Sequence, residues 1–116
     1  MLALEVALAV RPGDHTFVFD EVDAGVGGAA ATEVGRRLSE LARRHQVIVV
    51  THLAQVAAFA DHQLVVAKVV DGEGARTSVR PVEGAERIAE IARMLSGETT
   101  PEALRHAETL LTRSAT

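Results

Sequence analysis

Asp20 and Glu21 are the residues best placed to do chemistry: two adjacent carboxylates that end the apolar run Phe17, Val18 and Phe19 and open a glycine-rich turn reaching Gly28. Two acids at the carboxyl end of a buried strand are costly unless a metal ion, a water or a phosphate group engages them. The stretch TFVFDEVDAGVGG therefore has the pattern of a nucleotide-hydrolysis site. A second point of interest is His52, which with Thr51 follows the continuous β-branched run Val47, Ile48, Val49 and Val50. Such runs suit parallel strands covered on both sides. In a parallel sheet the two strand ends share the edge at which ligands bind in open α/β folds, so Asp20, Glu21 and His52 can face one site.

Each of these residues also has a plainer reading. The acids could be solvated in a turn, and His52 taken alone would be a satisfied structural histidine. Gly25, Gly27 and Gly28 could simply admit positive φ before a helix, which is compatible with close backbone approach to a ligand. His15, His45, His62 and His106 have no metal-like spacing with acids and read as surface or loop residues.

The elements that must position these groups follow from periodicity. Residues 2–10 form an apolar run, read as a mostly buried helix that ends before Arg11, Pro12 and Gly13. After the acidic turn, Val34, Leu38, Leu41 and Ala42 recur at helical spacing, with Glu33, Arg36, Arg37, Glu40, Arg43 and Arg44 on the other faces. The arginines read as a solvated helix face, because no aromatic residues interleave them to stack on bases. Strand, helix and strand make a right-handed βαβ unit. Residues 53–60 read as a short helix, 64–70 and 77–82 as a hairpin around Asp71, Gly72, Glu73 and Gly74, and 86–95 as a helix closed by Gly97. Thr100, Pro101 and Glu102 open a last helix, on which Leu104, Leu110 and Leu111 read as packing residues. Two apolar parallel strands need neighbours on their edges, and with only a hairpin to supply them the domain is expected to be incomplete.

Composition narrows the class. The 116 residues correspond to about one domain, with 47% hydrophobic and 3% aromatic residues, so the core must be aliphatic. No cysteine is present, which fits a cytosolic protein. A net charge of −4 argues against a strongly basic nucleic-acid clamp in this segment. The apolar start carries Glu5, lacks a basic leader and is too short to span a bilayer, so it is read as neither signal peptide nor membrane anchor.

FVFDEVDAGVGG, followed after a helix by VIVVTHLAQVAAFADHQ and then by RPVEGAERIAEIARMLSGE, resembles the carboxyl-terminal half of the ATPase head of the RecN family, bacterial DNA-repair relatives of the SMC and ABC ATPases. The resemblance covers nearly all of residues 1–116. It implies a partial P-loop NTPase head of α/β class: a parallel βαβ core, a terminal β-hairpin and two C-terminal helices. By the same resemblance Asp20 matches the Walker B aspartate that orients Mg through its water shell, and Glu21 the glutamate that polarises the attacking water. His52 matches the switch histidine. Residues 23–28, with Asp23, Gly25, Gly27 and Gly28, match the D-loop that reaches across a head-to-head homodimer. ATP and Mg are the implied cofactors and DNA the implied partner, with a nucleoid-associated, cytoplasmic location and no membrane.

Gly27 stands where SMC-type heads carry an aspartate, which leaves the cross-dimer polar contact in question. The sequence contains no G-x-x-x-x-G-K-[ST] loop, so the backbone cradle and lysine that hold phosphates are missing. This chain by itself is therefore expected neither to bind ATP tightly nor to hydrolyse it. Residues 94–98, MLSGE, lack one glycine of a signature motif and come after the Walker B acids, so a helix end with a glycine cap explains them better. Competing readings are the head of another SMC or ABC-type ATPase, a metal-dependent phosphohydrolase using Asp20, Glu21, Asp23 and His52, and a non-catalytic interaction module that completes its sheet with a partner.

Overall fold

The computed structural model describes the backbone of residues 3–9 and, with side chains, residues 15–20 and 28–115. The elements are β1 (Ala3–Ala9), β2 (Thr16–Asp20), α1 (Ala29–Leu41), β3 (Gln46–Thr51), α2 (Ala54–Ala57), β4 (His62–Asp71), β5 (Gly74–Val82), α3 (Gly84–Ser96) and α4 (Pro101–Ser114). The strands form one mixed sheet in the order β2-β3-β1-β4-β5.

The first element corrects the sequence reading. Residues 3–9 are a strand and not a helix: β1 lies antiparallel to β3, from Glu5↔Thr51 to Ala9↔Val47, and antiparallel to β4, from Ala3↔Ala67 to Leu8↔His62. Alanine and leucine favour helix locally, but β3 and β4 would each expose a row of unpaired backbone groups without a strand between them. The sequence carries a signal for this, because Leu2, Leu4, Val6, Leu8 and Val10 alternate with smaller or polar residues at period two. The hairpin is thus joined to the parallel pair in a single sheet.

β2 and β3 are parallel neighbours, paired from Thr16↔Gln46 to Asp20↔Val50, with α1 as the connection between them. Ala31 and Ala42 of this crossover are buried with Val47 and Val49, and Val34, Leu38 and Leu41 pack around them. The outward face carries Glu33, bonded to both Arg36 and Arg37, as the solvated-face reading requires. Two burial expectations are corrected. Among the described residues β2 has a sheet neighbour on one side only, and Val18 is 66% exposed. β3 alternates, with Val47, Val49 and Thr51 buried and Ile48 and Val50 half-buried, so helices cover one face of the sheet.

β4 and β5 pair antiparallel from Gln63↔Val82 to Asp71↔Gly74, the expected hairpin. A second apolar cluster joins Ala54 and Ala57 of α2 to Ile91 and Ala92 of α3 and to Ala103 and Ala107 of α4, with Leu104, Leu110 and Leu111 packed against it. Both helix boundaries here are written in the sequence. Gly97 ends α3 in the left-handed region at φ 80°, its N–H donating to the Arg93 carbonyl at 2.7 Å. The Thr100 hydroxyl caps α4 by accepting from the Ala103 N–H at 3.2 Å, with Pro101 in the first turn. Residues 94–98 accordingly form a helix end, as the glycine-cap reading has it. No helix among the described residues is long and apolar enough to cross a membrane.

Candidate functional site

The parallel register brings Asp20 and His52 to one edge. Asp20 is the last residue of β2 and pairs with Val50, and His52 follows directly on Thr51, the last residue of β3. Both are exposed at the carboxyl ends of adjacent parallel strands. Gly28 begins the crossover helix with φ 58° and ψ −127°, a conformation open to glycine and strained for other residues, and its carbonyl accepts from the Thr32 N–H at 3.2 Å. Of the other residues singled out from the sequence, Glu21, Asp23, Gly25 and Gly27 lie outside the described residues.

The hydroxyl of Thr51, which is 2% exposed, accepts from the Leu53 N–H at 3.0 Å, so the chain turns at His52. α2 begins immediately afterwards: the Leu53 carbonyl accepts from the N–H groups of Val56 and Ala57, both at 3.1 Å. Its far end is held from α3. Arg87 Nη2 donates to the carbonyls of Ala57, Ala58 and Ala60 at 3.3, 3.4 and 2.8 Å, and Nε donates to Gln63 Oε1 at 3.0 Å. Gln63 is 2% exposed and its amide reaches Met94 Sδ at 3.9 Å. Burial lowers the Arg87 pKa from its ordinary value, and the charge on Asp61 opposes that shift.

Sequence reading passed over Arg87, Gln63 and the hydroxyl role of Thr51. A signal for Arg87 does exist. It lies four residues before Ile91, on the apolar stripe of α3, where a charge needs buried partners. The histidines expected at the surface divide: His62 and His106 are exposed, whereas His45 is half-buried edge-on to Phe17, with ring centroids 5.2 Å apart. Among the described residues, His45 Nδ1 is buried without a hydrogen-bond partner.

Chemically, this edge offers an exposed carboxylate and an exposed imidazole on a rigid pair of strands. One carboxylate suits a hard divalent cation that is otherwise held by water and phosphate oxygens. Among the described residues, no cluster of three His, Asp or Glu side chains is placed to hold a metal by itself. Asp20 fits such a cation, and no phosphate-cradling loop of the G-x-x-x-x-G-K-[ST] type occurs in the sequence.

No family model matches the chain. Curated relatives do. It is 58% identical over 112 residues to the DNA repair protein RecN of Streptomyces coelicolor, an alignment covering 96% of this chain. It is 60% identical over 97 residues to that of Mycobacterium leprae and 52% identical over 108 residues to that of Deinococcus radiodurans. The chain is a RecN-type segment. It spans only 20%, 16% and 19% of the lengths of these three relatives. Within the RecN-type segment, the parallel strands, the crossover helix between them, the antiparallel pair and the C-terminal helices are those expected from the resemblance.

Proposed function

We propose that this RecN-type segment forms the water-activating edge of a P-loop ATPase head, related to the SMC and ABC heads, in a protein that repairs DNA double-strand breaks by recombination. The observation that carries the reading is the parallel register of β2 and β3, which sets Asp20 and His52 on one sheet edge in a chain that is 58% identical to a RecN protein. Asp20 orients the water shell of Mg, Glu21 orients the attacking water, and His52 offers a hydrogen bond at the same edge. Bound Mg and ATP would supply the electrophilic phosphorus and neutralise its charge. Residues 23–28 form the loop that meets a second head, and Gly27 leaves that contact to backbone groups. Couplings to DNA ends and a cytoplasmic, nucleoid-associated location belong to the same proposal.

The test replaces the corresponding stretch of Streptomyces coelicolor RecN with this chain and measures Mg-dependent ATP hydrolysis. Turnover close to that of the parent, lost in D20N and E21Q, is the expected result. The isolated chain should show none, since it lacks a phosphate loop. Hydrolysis by the isolated chain would overturn the reading in favour of a self-sufficient phosphohydrolase.

A further inference from the structure

We propose that Arg87 is a positioning residue that sets where His52 stands, by clamping the far end of the segment that begins with it. The inference rests on reading His52 as a site residue and adds the element that holds it in place.

The connection from β3 to β4 contains α2, which is only four residues long and has no side-chain cap at its start. So short a helix has no stability of its own and must be held by its surroundings. At its amino end the hold is the Thr51 hydroxyl on the Leu53 N–H, at 3.0 Å. At its carboxyl end the Ala57 carbonyl already accepts from the Ala60 N–H at 3.0 Å, and the carbonyls of Ala58 and Ala60 follow just past the helix. Arg87 reaches them from α3, meeting Ala60 at 2.8 Å, Ala57 at 3.3 Å and Ala58 at 3.4 Å with one nitrogen. A cation at this point also complements the helix dipole.

The second branch of the guanidinium fixes the geometry. Nε donates to Gln63 Oε1 at 3.0 Å, and Gln63 is buried at the start of β4. Arg87 thereby ties α3 to both the end of α2 and the following strand. A planar fork can serve carbonyls and an amide oxygen together, which an ammonium cannot do with the same directions. Ala54, Val56 and Ala57 of α2 are themselves buried, and His52 precedes α2 by a single residue, Leu53, so a shift at the clamped end is passed to His52 through a short, packed segment.

The test uses R87K and R87A in this chain and in the Streptomyces coelicolor chimera. In the chain, amide hydrogen exchange at residues 56–60 should rise by about tenfold in R87A and less in R87K, and the His52 ring resonances should shift in both. In the chimera, kcat should fall by about tenfold or more while KM for ATP changes less than about twofold, since a small displacement of a reacting group costs turnover more than binding. R87K guards against simple unfolding of R87A. Unchanged His52 resonances, or kcat and KM both at parent values, would overturn the proposal. A chimera with Arg87 intact that hydrolyses no ATP would instead overturn the reading of the site, and the His52 resonances would then decide the clamp alone.

Discussion

Gly35 lies so close to Phe59 that a Cβ on it would stand 2.4 Å from Phe59 Cδ2 and 3.0 Å from the Gln55 carbonyl. This contact seats the crossover helix on the segment that follows His52. In an open helix, alanine in place of glycine gains about 1 kcal/mol. Here the added methyl collides with a ring and a backbone oxygen at once. G35A should therefore destabilise the chain by about 1–3 kcal/mol, as overpacked cores do, seen as a lower midpoint in urea unfolding. An unchanged or raised midpoint would show that Phe59 moves aside freely.

Thr51 makes the turn at His52 with one hydroxyl. T51V keeps the shape and leaves the Leu53 N–H without its acceptor. The expected cost is about 1–3 kcal/mol, together with faster exchange of the Leu53 amide proton. A variant as stable as the parent would mean that another acceptor replaces the hydroxyl.

Exposed valines stand on the sheet face away from the helices. Val70 and Val79 are 72% and 58% exposed, and the strand register sets them on the same face as Leu64 and Val66. Ile48 and the 66% exposed Val18 pair directly and extend that face at the other end of the sheet. Open apolar surface of this extent favours association. The purified chain should bind a hydrophobic dye such as ANS, and V70K/V79K should weaken that binding while altering stability by no more than about 0.5 kcal/mol. Equal dye binding by the double variant would place the apolar surface elsewhere.

Gly97 holds φ 80° at the end of α3, where a side chain is strained. G97A should cost about 1 kcal/mol and leave the α/β circular dichroism signature unchanged. No loss of stability would mean that the helix end relaxes without cost.

Much of the fold was legible locally. Val34, Leu38, Leu41 and Ala42 announced α1 by their spacing. The glycine and threonine caps marked the junction between α3 and α4, and residues 71–74 marked the hairpin turn. These signals are legible because they lie within a few residues of one another. Arg87 was harder to see, since its partners, 24 to 30 residues away, are one side chain and three carbonyls, and carbonyls leave no residue-type signature.

The sequence by itself determined the acids after one apolar strand, the histidine after the next, and the RecN-type resemblance those motifs carry. Tertiary structure decided the rest of the arrangement. It made residues 3–9 a strand where local propensity favours a helix, since the facing edges of β3 and β4 need hydrogen-bond partners. Among the described residues it left β2 at a sheet edge with Val18 in solvent. It also placed a half-buried arginine at the end of α2, because a helix of four residues has little stability of its own and is held by groups distant in sequence.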